Sequence, residues 1–309
     1  MNTTGPNSTE PLVTAIIPTV GRLSLKRAVG SALRQTEPTV PLVVLDDPDA
    51  AGEVRRRLDG MPHRLISTEG REGGARARNL GVLAADTPYV AFLDDDDEWV
   101  AQKSESQLPH AQQGAVVSSR SLLIGEMSRV VPEQLYSSAS GSAAADATSE
   151  KPGGAVADYV LDRSTLRLRR RFMQTSSLMC SRDWALSVPW DEALPRHQDW
   201  DWLMRVEAEG AELRSLPDIL VRVFQDSSGS VSRRPDWRAS IDWIDSLPVP
   251  VSSRARADFN ASVVARNAFE AGNWGAGVRK LWGAVFSGAH PAALMVGISG
   301  ATHSRWRHA

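Results

Sequence analysis

The sequence predicts one α/β domain with a mainly parallel central sheet flanked by helices, followed by a helical appendage at the C-terminus. Apolar, strand-like runs alternate with helical patterns through the first hundred residues, which is typical of βαβ units. From Asp236 onward the pattern is helical, with a break around Pro248–Pro250. We therefore expect an α/β domain at residues 11–235 and an appendage at residues 236–309.

The elements of the first half follow in order. Buried strands are predicted at residues 12–17, 42–45 and 89–93, and a weaker one at residues 64–66. Apolar or small residues at helical spacing predict helices at residues 22–33 and 73–85, the second entered through glycines. The first strand is expected to end at Pro18.

The second half of the domain is less regular. A strand is expected to start at Val116, a helix to cover Asp199–Glu209, and late strands to lie at residues 213–215 and 219–224. Residues 137–157 are rich in Ser, Ala and Gly, which predicts a loop or a disordered insertion. The polar N-terminus, residues 1–10, is also expected to be disordered.

Composition narrows the classes of function. Of the 309 residues, 42% are hydrophobic, which suffices for a core, and the formal net charge is −2. A chain without a basic excess has no general attraction for nucleic acid, so we expect no such partner. One cysteine, Cys180, excludes an internal disulfide framework. The N-terminus lacks the pattern of a signal peptide, so we expect a cytoplasmic protein.

The stretch from Leu281 to Ser304 has no formally charged residue, but its four glycines and one proline make it a poor membrane-spanning helix. Basic residues flank it, at positions 279, 280, 305 and 307. Two interpretations stay open: a helical hairpin packed on the main domain, and peripheral contact with the inner face of a membrane.

Four consecutive aspartates, Asp94–Asp97, directly follow the predicted strand at residues 89–93. Like charges this close repel one another, and a hard cation such as Mg²⁺ or Mn²⁺ relieves the repulsion because it prefers carboxylate oxygens. In open parallel sheets, ligands bind just beyond the carboxyl ends of the strands. The alternative is a solvated acidic turn that caps the next helix.

Further polar residues follow other predicted elements. Asp46 and Asp47 end the second strand, where a carboxylate can bind a nucleobase or a ribose hydroxyl; a plain turn is the alternative. Arg76 and Arg78 lie in a helix opened by glycines, an arrangement that suits phosphate, and solvated surface arginines are the alternative.

The segment RHQDWDW at residues 196–202 supplies a candidate base. Asp199 stands at the start of a predicted helix, as a general base or as an N-terminal cap. His197 is a rival base because of its proton affinity. Asp201, two residues on, points in a different direction, so one carboxylate can face a cleft while the other caps or solvates.

In this order, the segments resemble glycosyltransferase family 2. The similar segments lie between about residues 12 and 225: VTAIIPTVGR at 13–22, SALRQT at 31–36, LVVLDD at 42–47, EGREGGARARNLG at 69–81, AFLDDDD at 91–97 and HQDWDWLMR at 197–205. The resemblance implies a glycosyltransferase A-type fold. It also implies inverting, metal-dependent transfer of a sugar from a nucleotide-diphosphate-sugar donor to an acceptor hydroxyl, in polysaccharide, cell-envelope or glycoconjugate biosynthesis.

The resemblance also assigns roles. Asp96 would bind Mg²⁺ or Mn²⁺ at the donor diphosphate, Asp94 would be the first acid of the D-x-D spelling, and the register stays open by one position. Asp199 would be the general base, preceded by Gln198 where the family commonly has glutamate. The implied nucleotide contacts are Pro18, Thr19, Asp46 or Asp47, Arg76 or Arg78, and Asp95 near the ribose. Arg233 falls where the family often has a segment that closes over the diphosphate.

Two other functions stay open. A sugar-phosphate nucleotidyltransferase should carry a glycine-rich basic loop after the first strand, where this chain has PTVGR at residues 18–22. A non-catalytic nucleotide-sugar-binding protein could use the same fold. The acceptor, a glycan, a lipid-linked sugar or a small molecule, is not readable. The basic stretch at residues 161–171 either attracts an anionic acceptor, or it is a solvated helix face or a salt-bridge partner for acidic residues elsewhere in the chain.

Overall fold

A nine-stranded sheet organises the fold in a computed structural model that describes residues 10–138, 155–167, 170–225 and 235–307. Its first half is parallel, in the order β3-β2-β1-β4. These strands are β1 (Val13–Thr19), β2 (Thr39–Leu45), β3 (Arg64–Ser67) and β4 (Tyr89–Phe92). Helices α1 (Leu25–Leu33), α2 (Ala51–Arg57) and α3 (Gly74–Ala84) connect them. The predicted parallel core is therefore confirmed.

The strand β1 continues one residue past Pro18, where the sequence predicted its end. β4 pairs with β1 only as far as Ile16, whereas β2 pairs with it to Thr19. Pro18 therefore has a sheet neighbour on one side only, and a residue without an N–H is tolerated at such a position. The extension brings Thr19 to the carboxyl edge of the sheet.

The second half of the sheet is mixed. β8 (Met179–Ser181) pairs antiparallel with β4 and with β6 (Val116–Ile124), and β6 pairs in parallel with β9 (Leu213–Phe224). Two short strands, β5 (Glu98–Trp99) and β7 (Arg129–Val131), pair antiparallel with β9 and β6. The two late strands predicted in this region are one strand, β9, whose register against β6 shifts between Ser119 and Ser121.

The described residues of this half contain the helices α4 (Lys103–Gln112), α5 (Val156–Leu161), α6 (Arg182–Ser187) and α7 (Gln198–Ala208). The predicted loop at residues 137–157 is described only at its ends, where Val156 already begins α5. The described part of the basic stretch at residues 162–171 forms no helix, so its interpretation as a solvated helix face was wrong. Residues 1–9 lie outside the described residues.

The C-terminal region is helical, as predicted. Its helices are α8 (Trp237–Ser246), α9 (Ser253–Phe259), which continues through the π-helical turn Asn260–Ala265 into α10 (Arg266–Glu270), α11 (Trp274–Phe286) and α12 (Pro291–Arg307). The side chains of Asp236, Ser252 and Asn273 accept hydrogen bonds from backbone N–H groups three residues on and so cap α8, α9 and α11.

One hydrophobic core crosses the predicted boundary near residue 235. Trp243 and Phe259 of the appendage belong to the same buried cluster as Phe92 and Trp202 of the α/β domain. The boundary therefore marks a change from α/β to all-helical structure rather than a gap between two cores.

Helices α11 and α12 pack on the segment Asn260–Glu270 of the same appendage, whereas the predicted hairpin was expected to pack on the main domain. A Cβ atom at Gly297 would lie 2.6 Å from the Ala261 carbonyl oxygen, and one at Gly300 would lie 2.4 Å from that of Arg266. Glycine is required at both positions because the two backbones are in contact there. Within the described residues, no helix is long and apolar enough to cross a membrane.

Candidate active site

A cavity of about 1070 Å³ opens at the carboxyl edge of the parallel strands. One side consists of the ends of β1 and β2, the start of α3 and the acidic run after β4. The start of α7 also lines the cavity, and a further wall, called the far wall, is formed by the described lining residues of 160–172 and 262–267. The predicted site residues that line the cavity are Pro18, Thr19, Asp46, Arg78, Asp94, Asp95, Asp96 and Asp199.

The acidic run alternates between exposed and buried side chains. The side chains of Asp94 and Asp96 are 39% and 18% exposed. Asp95 and Asp97 are only 3% and 4% exposed as whole residues. Asp95 and Asp96 lie in a turn that is closed by a hydrogen bond of 3.1 Å from the Asp97 N–H to the Asp94 carbonyl oxygen. All four aspartates border the cavity, and the two most exposed carboxylates are those of the register Asp94-x-Asp96.

Asp95 is held from two sides. Thr19 Oγ1 donates a hydrogen bond of 2.5 Å to Asp95 Oδ2, and Arg22 Nη1 donates one of 2.9 Å to Asp95 Oδ1. Burial raises the pKa of Asp95, while the Thr19 bond and the Arg22 charge act in the opposite direction. This carboxylate ties the acidic run to the end of β1, and Arg22 also lies 3.6 Å from Asp96 Oδ2.

Asp97 is anchored in the protein interior. Ser176 Oγ donates a hydrogen bond of 2.6 Å to Asp97 Oδ2 and accepts one of 3.1 Å from the backbone N–H of Asp94. Burial raises the pKa of Asp97 well above its usual value. The side chain therefore holds the acidic run in shape rather than presenting a charge to a ligand.

The paired aspartates after β2 have separate positions. Asp46 lines the cavity, and its carboxylate accepts hydrogen bonds of 2.8 to 2.9 Å from Thr68 Oγ1 and from the backbone N–H groups of Glu72 and Gly73. Asp47 is absent from the described cavity lining and pairs with Arg71 at 2.8 Å. Of the two, Asp46 is the one that borders the cavity, and it also anchors the loop that leads into α3.

The two arginines of α3 differ in the same way. Arg78 lines the cavity. Its guanidinium donates a hydrogen bond of 2.8 Å to Asp94 Oδ1 and one of 3.0 Å to Gln198 Oε1. Arg76 is absent from the described lining and lies 3.5 to 3.7 Å from the carboxylates of Glu192 and Glu72. Arg78 therefore connects the acidic run to the start of α7. Arg233 lies outside the described residues.

The helix α3 lies close enough to the sheet to aim Arg78 at the cavity. A Cβ atom at Gly81 would be 2.5 Å from Ile16 Cγ2 on β1 and 3.2 Å from Val44 Cγ2 on β2. Any side chain at position 81 would push α3 away from the sheet. The glycine of the Ala-Arg-Asn-x-Gly segment therefore fixes the position of the arginine.

Asp199 lies in the first turn of α7, and its carboxyl borders the cavity. Asp199 Oδ1 accepts a hydrogen bond of 3.0 Å from the backbone N–H of Trp200. Desolvation by the surrounding protein raises the pKa of Asp199 to about 6, although that bond and the Arg78 charge act in the opposite direction. A carboxylate of this pKa is suited to accept a proton near neutral pH.

His197, the rival base, is poorly suited to that role. It precedes α7 in a left-handed conformation with φ of 60°, and its ring packs against Trp200, Trp243 and Phe259. His197 Nε2 lies 3.0 Å from Ser240 Oγ, a contact between the α/β domain and α8. Burial lowers the pKa of His197 to about 3, so it is a weak base at neutral pH.

The neighbouring carboxylate, Asp201, faces away from the cavity. It is 4% exposed, and its oxygens accept hydrogen bonds of 2.7 Å from Arg205 Nε and 3.3 Å from Trp243 Nε1. The expectation that one of the two aspartates faces a cleft agrees with this geometry. The second one, Asp201, instead binds side chains within the protein. It neither caps a helix nor lies in solvent.

No group of three or more His, Cys, Asp or Glu side chains within the described chain is arranged to hold a metal ion. Asp94 and Asp96 nevertheless present two carboxylates to one cavity. Mg²⁺ is commonly held by one or two carboxylates together with substrate phosphates and water. The residues present therefore fit a cation that binds together with a phosphorylated ligand.

Sequence reasoning missed some of the lining residues. Arg22 belongs to the first motif but was assigned no role, and it contacts both Asp95 and Asp96. Arg266 and Asn267 of the appendage line the far wall, more than sixty residues after Asp199. No local pattern in the sequence could have indicated that these two residues return to the cavity.

Comparison with known proteins adds to this geometry. The family described as Glycosyl transferase family 2 matches residues 14–151, which contain the β1 to β4 motifs and the acidic run. The amylovoran biosynthesis glycosyltransferase AmsB of Erwinia amylovora is 24% identical over 223 residues, which cover 69% of each chain. Over residues 14–151 the chain thus matches the family that the sequence predicted, glycosyltransferase family 2. Glycosyl transfer is the class of activity that these comparisons support, in preference to nucleotidyl transfer.

Other similarities of this glycosyltransferase are narrower or concern the fold alone. WfgD of Escherichia coli, named as a UDP-Glc:alpha-D-GlcNAc-diphosphoundecaprenol beta-1,3-glucosyltransferase, is 33% identical over 31% of this chain and 40% of its own. Residues 1–349 of S. aureus TarS, crystallised with UDP-GlcNAc, align with a TM-score of 0.59 at 13% identity, covering 96% of this chain and 91% of that one. The mannosyltransferase PcManGT of Pyrobaculum calidifontis, crystallised with GDP-Man and Mn²⁺, aligns with a TM-score of 0.54 at 16% identity, covering 97% and 83%. The glycosyltransferase A-type fold is thus confirmed.

Proposed function

We propose that this glycosyltransferase transfers a sugar from a nucleoside-diphosphate sugar to an acceptor hydroxyl with inversion at the anomeric carbon, and that it uses Mg²⁺ or Mn²⁺. One observation carries the proposal. A carboxyl group whose pKa is raised to about 6, that of Asp199, shares one cavity with the two accessible carboxylates of the acidic run. A base and a diphosphate site on the same cavity are the two parts that such a transfer requires.

The donor half of the proposal rests on the ends of β1 and β2 and on α3. Thr19 and Asp46 border the space for a nucleoside, and Arg78 supplies a cation beside Asp94. The solved neighbours support a nucleotide-sugar donor, since TarS was crystallised with UDP-GlcNAc and PcManGT with GDP-Man.

In this proposal Asp94 and Asp96 hold the divalent cation. When bound, the cation neutralises charge on the diphosphate as it becomes the leaving group. Arg22, 3.6 Å from Asp96 Oδ2, and Arg78, 2.8 Å from Asp94 Oδ1, stabilise the two carboxylates before the donor enters. Because both carboxylates are already paired with arginine, cation and donor are expected to bind together.

Asp199 performs the proton transfer. The acceptor hydroxyl gives its proton to the Asp199 carboxylate as the oxygen attacks the anomeric carbon. The bond between that carbon and the diphosphate oxygen breaks on the opposite face of the sugar, which inverts the configuration. No covalent bond between sugar and protein is required, and Arg78, bonded to Gln198 at 3.0 Å, fixes the start of α7 relative to the donor side.

A thermal-shift screen tests the proposal. Nucleoside diphosphates and nucleotide sugars are added to the protein with Mn²⁺ and with EDTA. A nucleotide at about 100 times its dissociation constant stabilises the folded state by about 2.7 kcal/mol, which should raise the Tm by several degrees. We expect this shift with Mn²⁺ and a much smaller one with EDTA. No metal-dependent shift with any nucleotide would contradict the proposal.

We further propose that this cytoplasmic enzyme makes peripheral contact with the inner, anionic face of a membrane through α11. That helix exposes Val278, Trp282, Val285 and Phe286. The two aromatic residues are 58% exposed (Trp282) and 84% exposed (Phe286). The sequence contains no Asp or Glu after Glu270, and α11 itself carries Arg279 and Lys280. Apolar side chains beside uncompensated basic charge match an anionic lipid surface.

Replacing Trp282 and Phe286 together by glutamate should abolish binding to vesicles of phosphatidylcholine and phosphatidylglycerol. Each aromatic side chain buried in the interface contributes roughly 1.5–3 kcal/mol, so the partition coefficient should fall at least about a hundredfold. Vesicle co-sedimentation measures it. Met127→Glu, at an equally exposed position (86%) outside α11, is the matched control. Equal vesicle binding by the wild type, the double variant and Met127→Glu would contradict this role of α11. So would a double variant that binds vesicles as the wild type does but no longer forms a dimer that the wild type forms.

A further inference from the structure

The far wall of the cavity is strongly basic. Residues 160–172 and 262–267 contribute the cavity-lining arginines Arg163, Arg167, Arg170, Arg171 and Arg266. Among the described lining residues of these two segments, Asp162 is the single carboxylate. The cavity also has an acidic end, which is lined by Asp94–Asp97, and Asp199 lines the same cavity.

Salt bridges account for only part of this basic charge. Arg171 pairs with Asp162, and Arg167 pairs at 3.1 Å with Glu133, which is not among the described lining residues. Arg163 has a different environment: its Nη1 donates to the Arg167 carbonyl oxygen at 3.3 Å, and within the described chain no carboxylate lies within 4.0 Å of its guanidinium. A half-buried guanidinium bonded to a carbonyl keeps its full positive charge.

Arg163 and Arg266 also repel each other. Burial and then the charge of Arg266 lower the pKa of Arg163, and Asp258 and Asp162 offset them only in part. Arg266 forms a salt bridge with Glu270, in which Arg266 Nε lies 2.9 Å from Glu270 Oε1. Two half-buried cations facing one cavity destabilise the empty site, and a bound anion relieves the repulsion.

We propose that Arg163 and Arg266 form a subsite for a phosphate or diphosphate group of the acceptor, in the same cavity as Asp199 and the proposed donor site. The inference rests on the proposed function, because it takes the acidic end of the cavity as the donor site. An acceptor anchored by its phosphate on this wall presents a neighbouring sugar hydroxyl to Asp199. The exposed apolar surface of α11, in the same appendage as Arg266, favours a phosphate borne by a lipid over a free one.

Binding of three probes tests the subsite. Tryptophan fluorescence, which the cavity-lining Trp200 reports, is titrated in EDTA with an alkyl diphosphate, inorganic pyrophosphate and a neutral alkyl glucoside. We expect the alkyl diphosphate to bind at least about tenfold tighter than either other probe, since it combines a charge-assisted contact with an apolar chain. Arg163→Gln and Arg266→Gln should each weaken it by about tenfold and leave the glucoside unchanged.

Arg129→Gln, at an exposed arginine outside the cavity lining, is the matched control and should bind all probes as the wild type does. Equal affinity of pyrophosphate and alkyl diphosphate would overturn the lipid-borne source, and wild-type affinity in the Arg163→Gln/Arg266→Gln double variant would overturn the subsite. Mn²⁺-dependent nucleotide binding, measured on the same variants, should remain within about twofold of wild type. If the wild type binds no nucleotide yet keeps the arginine-dependent diphosphate binding, the donor proposal fails and the anion subsite stands.

Discussion

Asp199→Asn should lower kcat for sugar transfer by about 10² to 10⁴-fold, the usual contribution of a general base, while donor binding persists. An amide cannot accept the proton of the acceptor hydroxyl, but it has nearly the same size and still accepts the hydrogen bond from the Trp200 N–H. Steady-state transfer assays measure the loss, and the Mn²⁺-dependent thermal shift with a nucleotide reports the intact donor site.

Asp201→Asn is the matched control, two residues away on the same helix. Asp201 faces Arg205 and Trp243 rather than the cavity, so this change should lower the free energy of unfolding by about 1.5–3 kcal/mol, because the charge-assisted hydrogen bond to the partly buried Arg205 becomes a neutral one. Transfer by the folded fraction should stay within a few-fold of wild type. Equal rate losses in the two variants, or wild-type transfer by Asp199→Asn, would refute the assignment of the base.

The pH dependence of the wild-type enzyme bears on the same residue. A base acts in its deprotonated form, so kcat/KM should rise as pH increases through the Asp199 pKa of about 6 and level off above it. The sign follows from burial, which raises this pKa and therefore keeps the carboxyl protonated in mild acid. A rise centred near the ordinary carboxyl value of about 4 would indicate a base in a more hydrated environment.

Most of the parallel half of the sheet was predictable because β1, β2 and β4 are buried on both faces, whereas the weaker prediction falls on the partly exposed edge strand β3. Continuous apolar runs such as Ile16–Ile17 and Leu42–Leu45 carry that signal without help from distant residues. The short strands β5 and β8 carry no such signal. Glu98–Trp99 is a strand only because β9 pairs with it, and Met179–Ser181 only because it lies between β4 and β6. Such elements depend on tertiary contacts that a local pattern cannot encode.

The candidate site, like the sheet, was only partly predictable from the sequence. Its motifs indicated the acidic run and Asp199, but the run of four aspartates has no internal feature that separates ligands from anchors. The separation depends on Ser176, Thr19 and Arg22, which bury Asp97 and Asp95 and leave Asp94 and Asp96 at the cavity. Likewise, Asp46 and Asp47 are equivalent in the sequence, and only the loop after β3, through Thr68 and the Glu72 N–H, distinguishes them.

Asp96→Asn should reduce transfer by about 10³-fold and remove most of the Mn²⁺-dependent stabilisation by nucleotide, since the cation contributes several kcal/mol in such sites. The carboxylate of Asp96 is not needed for the local fold, because Arg27 holds the segment through the backbone carbonyl of residue 96, at 2.5 Å. The variant should therefore fold normally and bind nucleotide equally in Mn²⁺ and in EDTA. Thermal shift and transfer assays across a range of Mn²⁺ concentrations measure both effects.

The adjacent variant Asp97→Asn separates a cation ligand from a structural carboxyl group. Burial raises the pKa of Asp97 well above its usual value, so its side chain is uncharged over more of the pH range than an exposed carboxyl. An amide resembles that uncharged form and can still accept the hydrogen bond from Ser176. Asp97→Asn should therefore keep its Mn²⁺-dependent nucleotide shift, whereas Asp96→Asn loses it. If both variants lose the shift equally, the cation depends on the whole acidic run, and the alternation of exposed and buried carboxylates does not select its ligands.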